Sequence, residues 1–172
     1  METLYAGKFL NMVREGHWEY CERVNQTGAV MVFACTPEGN VLLVEEYRPP
    51  IGCQSICFPA GLSGDEGPES DLAAARRELL EETGYEAEQV QYLFTGPSSP
   101  GLTSESLSFF LATGLRKIAE GGGVDNENIT VHEAPLADID AWLAAQIAAG
   151  KSIDPSIYTG LYFIQKQSAL SS

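Results

Sequence analysis

The chain has 172 residues, a formal net charge of −14 and a hydrophobic content of 44%. That length and balance suit one soluble α/β domain with a real core. The acidity excludes a general nucleic-acid or anionic-membrane binder, which needs a basic face, but not a small phosphate-bearing ligand, because a bound metal ion can supply positive charge locally.

No apolar run approaches membrane-spanning length, and Met1-Glu2-Thr3 lacks a basic segment followed by an apolar one. A cytoplasmic protein is therefore expected. Without a signal peptide, Cys21, Cys35, Cys53 and Cys57 read as reduced, mostly buried thiols. Cys53 and Cys57 are spaced as a zinc pair could be, yet only the isolated His17 and His132 could complete it. One domain over residues 1–172 is expected, with residues 1–25 as an N-terminal β element for dimerisation and substrate binding.

From Phe9 to Val13 and from Trp18 to Val24, large and polar residues alternate, predicting two strands joined at Arg14-Glu15-Gly16. Trp18 reads either as core or as a ring for ligand stacking. Gly28 to Cys35 and Val41 to Tyr47 predict a hairpin of well-buried strands around Thr36-Pro37-Glu38-Gly39-Asn40. Pro49 and Pro50 stop the second strand and leave Arg48 on a rigid exit.

Leu72, Ala75 and Leu79, with Ala73 and Leu80 around the turn, predict an amphipathic helix. Pro68 suits its first turn, Glu69 and Asp71 its positive end, and Gly84 a left-handed cap. Glu78 and Glu82 are four apart and share one face, with Glu81 beside them. Acids so close repel unless a cation sits between them, and Arg77 alone cannot neutralise the group. They form either a solvated acidic face or a site for a hard divalent cation.

Beyond the helix, 88–94 reads as a strand, 95–105 as a loop and 106–111 as a strand buried at its far end. Gly121-Gly122-Gly123 predicts a mobile loop that closes over substrate. A strand over 129–133, a helix from Pro135 to Ala149 closed by Gly150, and a third helix from Asp154-Pro155 complete the chain. Tyr158, Leu161, Tyr162 and Ile164 run along that last helix, and Trp142 reads as core.

Gly61, Glu69 and the unbroken run Arg77-Glu78-Leu79-Leu80-Glu81-Glu82-Thr83-Gly84-Tyr85 resemble the signature of the Nudix hydrolases. That signature is Gly-x5-Glu-x7-Arg-Glu-U-x-Glu-Glu-x-Gly-U, where U is aliphatic or bulky apolar. Here seven residues, not five, separate Gly61 from Glu69, so the helical acids keep their spacing but the path to Glu69 differs. The resemblance implies an α/β/α sandwich with a mixed β-sheet, plus the short N-terminal β element. It implies Mg²⁺, or Mn²⁺, held by Glu78, Glu81, Glu82, the Ala60 carbonyl and Glu127, with Arg77 orienting the glutamates and Glu69 pairing with Arg77. Asp125 would be the general base, one methylene shorter than the family's glutamate; a solvated acidic loop is the other reading of 125–127.

Ser99-Pro100-Gly101-Leu102-Thr103-Ser104-Glu105, with Pro100 sixteen residues beyond Gly84, is similar to a segment of the ADP-ribose pyrophosphatase branch. By that likeness Glu105 would contact the terminal ribose. In Tyr47-Arg48-Pro49-Pro50, Arg48 would lie against the diphosphate, to which a guanidinium fork is suited. Trp18-Glu19 is similar to a pair whose indole stacks on adenine while the acid accepts from its amine, in the neighbouring subunit of a homodimer. The implied reaction is metal-dependent hydrolysis of ADP-ribose to AMP and ribose 5-phosphate. Another nucleoside diphosphate sugar is the alternative substrate. An ADP-ribose-binding sensor without turnover is the alternative class, against which the intact Glu78, Glu81 and Glu82 argue.

Overall fold

The computed structural model describes residues 1–24, 28–64, 67–124 and 128–170, so Asp125 and Glu127 lie outside the described residues. An antiparallel sheet opens the chain, built from β1 (Glu2–Ala6), β2 (Leu10–Glu15) and β3 (Trp18–Arg23). The β2–β3 turn is Gly16-His17, not Arg14-Glu15-Gly16. Gly16 takes φ 61°, which a two-residue hairpin loop needs, and Glu15 stays in the ladder opposite Trp18. None of the residues of β1 is fully buried, so it carries no hydrophobic alternation by which to read it.

The body holds two four-stranded mixed sheets. In chain order the strands are β4 (Gly28–Ala34), β5 (Asn40–Arg48), β6 (Cys53–Cys57), β7 (Ala60–Ser63), β8 (Tyr85–Pro97), β9 (Ser106–Lys117), β10 (Thr130–Pro135) and β11 (Ser152–Ile153). One sheet runs β10-β5-β6-β11 and the other β7-β4-β9-β8. The expected β4–β5 hairpin is not made. Its turn forms, with Thr36 N donating to Asn40 O at 2.8 Å, but only the Cys35–Val41 bridge follows. β4 is claimed on both edges by β7 and β9, and β5 by β10 and β6, as befits two strands buried on both faces.

The alternation of β4 divides the core. Val30, Val32 and Ala34 pack with Ala74, Ala75 and Leu79 of α1 (Asp71–Thr83). Met31 and Phe33 face the opposite layer, with Leu143 of α2 (Ile139–Ala148) and Ile157, Leu161 and Ile164 of α3 (Ser156–Leu170). Side chains that point alternately to two faces give the strand a helix on each side. A 3₁₀ turn, Leu136–Asp138, leads into α2. On α3 the buried stripe is Ile157-Leu161-Ile164, and Tyr158 and Tyr162 are exposed. Trp142 is partly buried against this layer, 5.3 Å from the His132 ring.

The strands β8 and β9 are longer than the sequence suggests, and pair from Tyr85–Lys117 to Pro97–Ser106. The four cysteines are free and partly buried. Among the described residues no helix is long and apolar enough to cross a membrane.

Candidate active site

Helix α1 starts later than Pro68. Ser70 is the N-cap, its hydroxyl accepting from Ala73 N at 3.2 Å, so Pro68 and Glu69 belong to the approach. The buried stripe is correspondingly Ala74, Ala75, Leu79 and Glu82, whereas Leu72 and Ala73 are exposed. Asp71 anchors the first turn by accepting from Ser63 Oγ at 3.0 Å and Ser108 Oγ at 2.7 Å. Gly84 closes the helix at φ 76° and donates to Leu80 O at 2.8 Å.

From this anchored helix the acids project around Arg77. Its Nη1 meets Glu78 Oε1 at 2.9 Å and Glu81 Oε2 at 3.1 Å, and its Nη2 meets Glu69 Oε1 at 2.8 Å. Nη2 also donates to Leu62 O at 3.1 Å, which ties the helix to β7. The lengthened approach therefore still delivers Glu69 to Arg77. The Arg77 hydrogen bond holds the Glu69 carboxyl below the usual carboxylate range, and Glu69 in return makes the guanidinium harder to deprotonate.

Glu78 lies against the backbone of β7: a Cβ at Gly61 would come within 2.0 Å of its Oε1. Only a residue without a side chain leaves that space. Glu82 is 6% exposed, and its Oε2 accepts from Ala60 N at 3.0 Å. Cys57, on β6, neighbours Glu82. Burial first and the Glu82 charge second push its thiol up to about 12, so it stays protonated and unreactive at neutral pH. Arg48, at the end of β5, partly offsets that rise, and it pairs with Glu46 at 3.2 Å.

The glycine run does not form the expected free lid. Gly122 N donates to Glu82 O at 2.8 Å and Gly123 N to Glu81 O at 3.0 Å, capping the orphan carbonyls of α1. Gly121, Gly122 and Gly123 take φ 74°, 105° and 83°. A Cβ at Gly121 would meet Thr83 C at 2.4 Å. Conformation and close approach demand these glycines.

A second group gathers on the N-terminal sheet. The loop after β8 docks on β3, with Cys21 N donating to Leu102 O at 2.8 Å and Ser104 N to Cys21 O at 3.2 Å. Trp18, 54% exposed, thereby lines a cleft of about 360 Å³ with Glu15, Tyr20, Pro100, Thr103 and Ser104 of its own chain. Glu105 is paired with Arg23. Glu19 is not in the cleft: Arg14 Nη2 holds it at 2.6 Å.

Three features escape sequence reasoning. Glu15 and Tyr20 in the cleft follow from a turn placed at Gly16-His17, which the Gly16 signal could have indicated. Arg23 as the counter-ion of Glu105 depends on a contact between distant segments. Away from the acids, Glu45 Oε2 accepts from Lys151 Nζ at 2.7 Å and lies 2.7 Å from His132 Nε2. Burial would raise Glu45, but these two bonds outweigh it and hold the carboxyl below its usual range. His132 thus serves a part-buried polar network with Glu45 of β5 and Lys151, not a cysteine site.

The donor set suits a hard divalent cation. Carboxylates of Glu78, Glu81 and Glu82 share one helix end, and with Glu69 they outnumber the Arg77 charge four to one. Among the described residues no three ligating side chains already close around one point. Mg²⁺ is commonly held by one or two carboxylates together with water and substrate phosphate, so such a cage is not required.

Comparison with known proteins agrees with this geometry. A family model described as the NUDIX domain matches residues 25–152. A methanol dehydrogenase activator of Bacillus methanolicus is 32% identical over 98% of this chain and 92% of its own. An ADP-ribose pyrophosphatase of Bacillus subtilis is 34% identical over 80% of this chain and 77% of its own. A GDP-mannose pyrophosphatase of Yersinia enterocolitica is 35% identical over 73% of this chain and 69% of its own. The crystal structure of an ADP compounds hydrolase superposes with a TM-score of 0.72 over 99% of this chain and 92% of that one, at 21% identity, a likeness of fold. The acid row on α1, the fold around it and these relatives lead to one conclusion: the chain belongs to the Nudix family and is a hydrolase.

Proposed function

We propose that the enzyme cleaves the diphosphate of ADP-ribose, in the presence of Mg²⁺ or Mn²⁺, to give AMP and ribose 5-phosphate. The observation that carries the reading is the acid row at the end of α1, with Glu78 and Glu81 paired to Arg77 and Glu82 accepting from Ala60 N. The similarity to an ADP-ribose pyrophosphatase supports the choice of substrate.

A divalent cation, when bound, would set positive charge against the diphosphate and acidify water there. Glu78, Glu81, Glu82 and the Ala60 carbonyl would hold it, with Glu127 from outside the described residues. Arg77 keeps Glu78 and Glu81 at fixed separation. A carboxylate, Asp125 or one of the row, takes the proton from water attacking phosphorus in line. Arg48 presents its fork to the diphosphate, Glu105 faces the terminal ribose, and Trp18 stacks on the base. The cleft at Trp18 is built within one chain, while the homodimer and the single domain over 1–172 are part of the same proposal.

Turnover of ADP-ribose, UDP-glucose and GDP-mannose with Mg²⁺, against Glu82→Gln as control, tests it. Preferential ADP-ribose hydrolysis that disappears in the control is the expected result. Preference for GDP-mannose, in keeping with the Yersinia relative, would move the substrate and keep the acid row. Tight ADP-ribose binding without turnover would make the protein a sensor.

A further inference from the structure

The end of α1 is built from two pieces of chain. An α-helix leaves its last four carbonyls without partners inside the helix. Here Leu80 O receives the helix's own cap, Gly84 N, at 2.8 Å. Glu81 O and Glu82 O take their donors from far along the sequence, Gly123 N at 3.0 Å and Gly122 N at 2.8 Å. The stretch that brings them first fastens to the cap, with Ile118 N and Ala119 N donating to Gly84 O at 2.9 and 3.1 Å. Residues 118–123 thus form a strap around the turn that carries Glu81 and Glu82.

The two pieces meet backbone to backbone. A Cβ at Gly84 would sit 2.1 Å from Ala119 O, and one at Gly121 would sit 2.7 Å from Glu82 O. So close a fit holds strap and turn in one register. The consequence is electrostatic as well as geometric. A helix C-terminus carries partial negative charge on its carbonyls, and the carboxylates of Glu81 and Glu82 add to it here. Two amide dipoles aimed at those carbonyls offset that charge and fix the backbone from which the acids project. A cation then meets acids already held together. In a frayed turn, the cost of ordering them would fall on cation binding.

We propose that Gly122 and Gly123 are positioning residues for the cation site, their amides holding the Glu81–Glu82 turn in the form that binds a divalent cation. The proposal rests on the reading of the acid row as that site. It goes beyond that reading by assigning part of the affinity to amides that do not themselves touch the cation.

The test is Mn²⁺ binding without substrate, with free Mn²⁺ read by electron paramagnetic resonance, alongside denaturant unfolding. Gly122 takes φ 105°, which an L side chain rarely adopts, yet a Cβ there has room, 3.7 Å from Ile129 O. Gly122→Ala therefore acts through conformation, by turning the amide off Glu82 O. The matched control is Gly150→Ala, because Gly150 follows α2 at φ 83° with nothing within 4 Å of a Cβ. Wild type is expected to bind Mn²⁺ and Glu82→Gln to bind it poorly. Gly122→Ala weakens binding about fivefold, the equivalent of one hydrogen bond. Gly150→Ala loses stability and keeps wild-type affinity. Gly123→Ala, at φ 83°, carries the same expectation and replaces Gly122→Ala if that variant does not fold. Wild-type Mn²⁺ affinity in a folded but less stable strap variant overturns the proposal, and so does an equal loss of affinity in Gly150→Ala. Absence of Mn²⁺ binding in wild type, or binding that Glu82→Gln leaves unchanged, would instead overturn the acid row as the cation site.

Discussion

Gly61 and Glu78 are in contact, with the carboxylate filling the space a side chain at 61 would need: a Cβ there would sit 2.0 Å from Oε1 and 2.5 Å from Oε2. Gly61→Ala must therefore push Glu78 off its place while leaving the fully buried α1 stripe of Ala74, Ala75 and Leu79 untouched. A displacement of roughly 1 Å in a catalytic group costs on the order of 100-fold in rate. The expected outcome is a kcat lowered by about that factor with the circular dichroism spectrum unchanged. A kcat within twofold of wild type, roughly the scatter of such assays, would show that Glu78 does not need this position.

Arg77 stands between acids that would otherwise repel. Arg77→Lys keeps the charge but not the fork that reaches Glu69, Glu78, Glu81 and Leu62 O at once. A loss of about 1–3 kcal/mol in denaturant unfolding is expected, in line with charged hydrogen bonds. Added Mg²⁺ should recover part of that loss, because it relieves the same repulsion. Equal losses with and without Mg²⁺ would count against a cation among these acids.

Glu69 gives the acid-side pH dependence. Its carboxyl is held below the usual range by Arg77, so the folded state binds its proton less readily than the unfolded state does. The stability it contributes is fully present above the unfolded carboxylate value of about 4.3 and is lost as pH falls through the lower folded value. Glu69→Gln should thus destabilise the protein at neutral pH and match wild type at the acid end. Parallel stability curves across that range would rule out the linkage.

Tyr85 gives the alkaline counterpart. Burial first, then the 2.7 Å hydrogen bond to Glu133, raise its pKa to about 12. The proton is held more tightly in the folded state, so this stability is intact below the unfolded value of about 10 and lost as pH rises towards 12. Wild type should lose stability faster than Tyr85→Phe above about pH 10. Tyrosinate absorbance in native protein, compared with the variant, locates the titrating ring.

Much of the site was legible because it lies on one helix, where spacing is geometry. Glu78, Glu81 and Glu82 fall together by period alone, and Gly84 caps where the periodicity stops. The helix start was less legible: Pro68 and Ser70 are both competent there, and the choice fell to the hydroxyl that could reach Ala73 N. The β4–β5 hairpin misled because a good turn and two apolar runs do not say which sheet each strand joins. Gly121 to Gly123 misled for a related reason. Three glycines permit motion in isolation, but here they are what lets backbone meet the end of α1. The Arg23–Glu105 pair spans segments whose meeting no local pattern encodes.

The docking of the 98–105 loop on β3 makes the N-terminal sheet a splint for that loop. Cys21 holds Leu102 and Ser104 by the backbone, and Arg23, two residues on, holds Glu105 by charge. Deleting β1 to β3 would take Trp18 from one wall and, in the same stroke, unfasten the loop that carries Glu105. If the proposed roles of Trp18 and Glu105 hold, base and sugar recognition are mechanically joined through one short strand. Loosening that strand should weaken both ends of a dinucleotide-sized ligand together, however intact the acids on α1 remain.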